Sequence, residues 1–208
     1  MSRIKKYVFA LVGIIIMGFG CGMLVKTGIG TDTVNCLTTG IANSLKITVG
    51  QATTLFNVVV VIAVFFIDKK MIKAAMILSV FLTQYPIDYA INIYFKAPNL
   101  MIGILSDILS IYVFTLGAAM MICSDCGSNV YDGLILAVSN ITKKKYIVIK
   151  YIADGLFILI GYLLGGEVGV GTIISFILVG FLINEHMKFI NKRIKPKILN
   201  WFVAISIY

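Results

Sequence analysis

Charge is scarce in this chain: 13% of its 208 residues are Asp, Glu, Lys or Arg against 60% hydrophobic ones, and the mean hydropathy is +1.01. That balance excludes a soluble domain of ordinary make-up, which carries about a quarter of its residues as charges. Histidine is reduced to one, His186, expected in an exposed position near the inner end of the last span, so histidine-based catalysis has no footing. No Walker-type sequence is present, which excludes nucleotide hydrolysis by that route and leaves an ion gradient or another subunit as the energy source. The four cysteines are Cys21, Cys36, Cys123 and Cys126, and their one CSDC run falls short of the four paired ligands of a zinc site. Cys123 and Cys126 fall at a cytoplasmic helix end, where a structural disulfide is not expected. No enzymatic activity, cofactor or metal is expected on these grounds. The MSRIKK start lacks a following small-x-small cleavage site, so the first apolar run reads as an uncleaved helix.

What the chain has is apolar length. Runs long enough to cross about 30 Å of hydrocarbon as helices lie at about 7–27, 50–67, 71–95, 101–123, 146–165 and 168–187. The expected fold is an all-α membrane protein of about six transmembrane helices, with the lipid bilayer as its first partner. The formal charge of +9 suggests nucleic acid at first sight. Its distribution points elsewhere: with the amino terminus inside, six crossings leave only Lys26, Lys46 and Lys96 outside, a cytoplasmic bias typical of multi-pass proteins. Both termini are expected in the cytoplasm, and nucleic acid is not an expected partner.

The chain also echoes itself. GCGMLVKTGIGTDTVNCLTTGIANSLK, from Gly20, lies without a gap over GAAMMICSDCGSNVYDGLILAVSNITK, from Gly117. The register pairs Met23 with Met120, Gly30 with Gly127, Leu37 with Leu134, Asn43 with Asn140 and Lys46 with Lys143. Asp32 falls on Asn129 and Asn35 on Asp132, so carboxylate and amide trade places. Two repeats are expected, at 1–98 and 99–190, followed by a basic and then apolar tail at 191–208 in which Trp201 marks an interfacial anchor or a contact with a partner subunit.

Within each repeat a short polar helix is expected between spans, at 31–45 and 128–142. Fifteen residues rise only about 22 Å, too little to cross, so these helices are re-entrant or interfacial. Three crossings per repeat then give an inverted pair. Gly28 and Gly30 in one copy and Gly127 in the other supply hinges that a Cβ would oppose. Thr31 or Asp32, and Ser128 or Asn129, are placed to cap the helices that follow.

Candidate residues of a solute pathway follow from polarity inside apolar surroundings. Asp32, Asn35, Asn129 and Asp132 form two half-sites if the short helices meet across a pseudo-two-fold axis. The other reading is an amphipathic helix with its polar stripe in water. Asn57 and Asp154 occupy matching positions about 11 Å inside their spans, where an ionisable group is costly and functional by default. Lys150, one turn before Asp154, is placed to neutralise it. Gln84, Asp88 and Asn92 line one face of the third span, which Pro86 should kink. Acidic residues in the first turn of each short helix offset the helix dipole and favour a cation, a proton-coupled polar solute or a zwitterion over a free anion.

The basic amino terminus, the GFGCG end of the first span, the GIGTDTVNCLTTGI turn and the GVGTIISFILVG span together resemble the YczE/YyaS/YitT group of bacterial integral membrane proteins, over about Lys6 to Lys188. The resemblance implies a multi-pass protein of the bacterial plasma (inner) membrane and transfers no activity. The expected function is a small secondary transporter or channel-like permease for a small polar or cationic solute, alone, as a homo-oligomer or with a partner subunit. The alternatives are a substrate-capturing membrane subunit of an energy-coupling transporter and a non-transporting accessory protein.

Overall fold

The computed structural model of the chain describes residues 3–194, so the tail from residue 195 onward, with Trp201, lies outside the described residues. The described residues form an all-α, membrane-type fold: α1 (Arg3–Thr27), α2 (Thr33–Leu45), α3 (Val49–Asp68), α4 (Ala74–Leu82), α5 (Gln84–Ile93), α6 (Leu100–Cys123), α7 (Val130–Thr142), α8 (Tyr146–Leu163) and α9 (Val170–Phe189). Among the described residues six stretches are long and apolar enough to cross a membrane: Ile4–Thr27, Val49–Met71, Ala74–Ile93, Leu100–Cys123, Tyr146–Leu163 and Val170–Lys192.

The third stretch is broken where proline chemistry requires it. The ring of Pro86 conflicts with the carbonyl four residues earlier, that of Leu82, and α4 ends at Leu82 with α5 starting at Gln84. Thr83, buried at the break, turns its hydroxyl back to the Ser79 carbonyl.

α2 and α7 are each 13 residues long and begin 97 positions apart. Their preceding residues, Asp32 and Asn129, share one extended backbone conformation (φ −66°, ψ 168° and φ −65°, ψ 168°), and both helices end in a left-handed lysine, Lys46 or Lys143, at φ 56°. At about 20 Å neither is long enough to span.

The glycines of the echo set how the helices cross. α1 packs along α6, and a Cβ on Gly117 would strike the backbone of Met17, while one on Gly20 would strike the backbone of Phe114. Those contacts exchange under the 97-residue offset, Gly20 with Gly117 and Met17 with Phe114. The short helices cross over: α2 packs on α8 and α7 on α3. Along the first seam Cys36 reaches the Ile158 carbonyl and Asn43 that of Gly165, so α2 runs alongside α8 in the same direction. Eight residues of α2 are buried, Thr33, Asn35, Cys36, Leu37, Thr38, Thr39, Gly40 and Ala42, which sets its polar stripe inside the protein and not along an open surface.

One brace has no counterpart among the described residues. Asp88 on α5 accepts from the Thr48 hydroxyl at 2.6 Å and from the Gly50 backbone N–H at 2.8 Å, tying α5 to the start of α3. Thr48 also closes a capping box with Gln51. Hydrogen bonds to a charged acceptor contribute about 1.5–3 kcal/mol each. Asp88→Ala is therefore expected to lower stability by about 2 kcal/mol, read as an earlier thermal unfolding midpoint in detergent. An unchanged midpoint would show that the brace carries no load.

Candidate functional site

The first turns of α2 and α7 open onto one cavity of about 580 Å³, a volume in the range of small-molecule sites. Its wall takes Asp32 and Asn35 from the first short helix, Asn129, Tyr131 and Asp132 from the second, Asn57 from α3, Tyr146, Lys150 and Asp154 from α8, and Ser175 from α9. Both halves of the sequence build it.

Local sequence explains each polar pair. Gly28, Gly30 and Gly127 sit at φ +74°, +109° and +129°, in the left-handed region that favours glycine, and let the chain double back before each short helix. In the second copy the Asn129 side chain caps α7 by accepting from the Asp132 N–H at 2.8 Å and donates its own amide to the Asp132 carboxylate at 2.9 Å. In the first copy the exchange of residue types gives the mirror pair: the Asn35 amide donates to Asp32 at 2.5 Å, and the Asp32 side chain makes no cap bond. Each half therefore presents one carboxylate held by one amide.

The second half adds an ammonium. Lys150 Nζ lies 3.0 Å from Asp154 Oδ2 and 4.8 Å from the centre of the Tyr131 ring, whose hydroxyl in turn donates to Asp154. The Tyr146 hydroxyl donates to Asp132 at 2.8 Å. Three carboxylates and one lysine thus face the cavity, a formal balance of −2. Ser175, 1% exposed, has no hydrogen-bond partner for its hydroxyl. On the α8 to α9 side the rings of Tyr151 and Phe176 meet at 5.3 Å.

Two sequence candidates stand elsewhere. Gln84 accepts from Thr54 at 3.2 Å and Asp88 serves the brace on α3, and neither lines the cavity, because the helix break at Thr83 turns this face toward α3. His186 also departs from expectation: it is 6% exposed, with Nδ1 3.2 Å from the Thr115 hydroxyl and its ring edge-on to Tyr112, so it packs α9 against α6. The four cysteines carry no disulfide, and the described residues hold no group of three or more His, Cys, Asp or Glu able to bind a metal. Ser175 was missed by sequence reasoning, since a serine in an apolar span has no signal of its own.

A family model matches residues 4–188. The chain belongs to DUF6198, a family of unknown function. This DUF6198 protein is similar to the "Uncharacterized protein YyaS" of Bacillus subtilis (strain 168), 22% identical over 195 residues, 92% of this chain and 97% of that one. It is also similar to an "Uncharacterized protein" of Haemophilus influenzae (strain ATCC 51907 / DSM 11121 / KW20 / Rd), 23% identical over 192 residues, 91% of this chain and 86% of the other. No solved structure matches it. The YyaS-like part of the resemblance read from the GFGCG and GIGTDTVNCLTTGI segments is borne out, and the whole cavity lies inside the matched region of this DUF6198 chain.

Proposed function

We propose that this protein is a small secondary transporter or channel-like permease of a bacterial plasma membrane, carrying a small cationic solute along a pathway between two inverted repeats. The observation that carries the reading is the single cavity that the first turns of α2 and α7 share, each contributing one Asp and one Asn in exchanged order. Interrupted apolar segments at matching positions of two repeats are the usual construction of a transport site. The excess of carboxylates over lysine selects for positive charge, and Lys150, seated on Asp154 and over the Tyr131 ring, occupies the kind of anion and aromatic setting that receives an ammonium group.

Co-purification of ATPase subunits would favour the capturing-subunit alternative, and loss of a partner's activity without any flux the accessory one.

Inversion has its own test. With both short helices re-entrant, α3 ends and α8 begins on the same side of the membrane. Single cysteines at positions 68 and 143, in a background with Cys21, Cys36, Cys123 and Cys126 replaced, are expected to react with an impermeant maleimide only from the cytoplasmic side. Labelling of position 68 from outside would overturn the inverted topology.

A further inference from the structure

Asp107, on α6, takes no part in the cavity, yet it is 0% exposed inside a stretch that crosses the membrane. Its Oδ2 has no hydrogen-bond partner. Its Oδ1 accepts a long hydrogen bond, 3.4 Å, from the Thr27 hydroxyl, which also lies 2.7 Å from the Leu24 carbonyl and so divides its one proton between two acceptors. Oδ2 therefore has no donor, and Oδ1 has one long, shared one. Nor does Asp107 form an ion pair among the described residues. A buried carboxylate left in this state is costly enough that something positive must accompany it.

The surroundings specify what. α1 unwinds after Thr27, and the hinge brings the Gly30 carbonyl beside the start of α9, where the Gly171 N–H donates to the Ile29 carbonyl at 2.9 Å. A Cβ built on Gly171 would lie 2.5 Å from the Gly30 carbonyl oxygen and 3.1 Å from Asp107 Oδ2, and one built on Gly30 would lie 2.8 Å from Thr172 Oγ1. Carboxylate, peptide carbonyl and two threonine hydroxyls thus gather at the unwound end of a helix, the arrangement by which membrane carriers coordinate ions.

We propose that Asp107, with Thr27, Gly30 and Thr172, binds a sodium ion. All the donors are oxygens, which suits a hard cation. The site supplies one negative charge, which a monovalent ion cancels and a divalent ion would exceed. The 3.4 Å between Thr27 Oγ1 and Asp107 Oδ1 is also the spacing of two oxygens that share, at right angles, a hard cation about 2.4 Å from each. Gly30 stands two residues before Asp32, so ordering the hinge around the ion fixes the first carboxylate of the cavity. This last step rests on the transport reading, whereas the ion site stands independently of it.

The test is thermal unfolding of the full chain in detergent, in sodium chloride and in choline chloride at equal ionic strength, at pH 6, 7 and 8. Saturating sodium is expected to raise the wild-type midpoint by about 5 °C. Asp107→Asn should abolish the sodium response while unfolding in choline no earlier than wild type, because the uncompensated charge is gone. Thr27→Val, which keeps the carboxylate, should raise the sodium concentration for half effect about tenfold, the loss of about one ligand's worth of affinity. It carries the test if Asp107→Asn fails to fold. Equal wild-type midpoints in sodium and choline at every pH, or a sodium response that survives in Asp107→Asn, would overturn the proposal. A stabilisation that follows acidification in choline as well as in sodium would identify a proton and equally overturn it. A sodium-dependent midpoint without solute flux would leave the site standing and remove the transport reading.

Discussion

Asp32→Asn and Asp132→Asn are each expected to cut the uptake of a small cation such as methylammonium into proteoliposomes by about tenfold to a hundredfold, with the amount of inserted protein unchanged. Asp32, Asp132 and Asp154 face the cavity with Lys150 alone to oppose them, and Lys150 is engaged by Asp154. Asp32 and Asp132 are therefore the carboxylates left for a solute. At about 6 Å and an effective dielectric constant near 20, one unit charge attracts another by ~3 kcal/mol, which corresponds to about a hundredfold in affinity. The exchange to Asn keeps an oxygen for the neighbouring amide, so Asn35 and Asn129 retain an acceptor and the helix starts are preserved. Wild-type flux in both variants would remove the half-sites from the pathway. Loss of insertion in both would mean that they serve folding.

Gly117→Leu is expected to prevent accumulation of folded protein altogether. α1 and α6 approach so closely that a single Cβ at Gly117 already collides with the Met17 backbone and lies 2.6 Å from the Gly13 carbonyl one turn earlier on the same helix. Backbone cannot swing aside as a flexible side chain does, so the two helices must separate along the seam between α1 and α6. Overpacking in a tight core costs about 1–3 kcal/mol even where side chains can adjust, and small residues at helix crossings are what permit such contact in a membrane. Gly155 and Gly180 provide the control, since an added Cβ at either meets nothing within 4 Å. Gly180→Ala should leave yield and elution profile as in wild type. Normal folding of Gly117→Leu would refute the seam.

Much of the local structure was legible because its causes are local. Apolar runs of helical length and hinge glycines followed by Asp or Asn are properties of neighbouring residues. The helices observed at Thr33–Leu45 and Val130–Thr142 begin within two residues of where the sequence places them. Pro86 likewise announced a break by its ring alone. The candidate site was legible where the two copies could be compared: Asn57 and Asp154, Asp32 and Asn129, Asn35 and Asp132 all line the cavity. Gln84 and Asp88 misled, because spacing of four residues reports a shared helix face and not what that face meets.

The sequence by itself determined a membrane-type helical protein, its two short helices and the matched polar pairs, since hydropathy, glycine geometry and capping act over a few residues. Only the tertiary structure decided that α2 crosses to α8 and α7 to α3, that both first turns open into one cavity, that His186 is buried and that Asp107 Oδ2 is buried without a donor. Those outcomes depend on which backbones approach each other, set by glycine seams such as Gly20 on Phe114 and Gly117 on Met17, and no residue carries the address of a partner so distant along the chain.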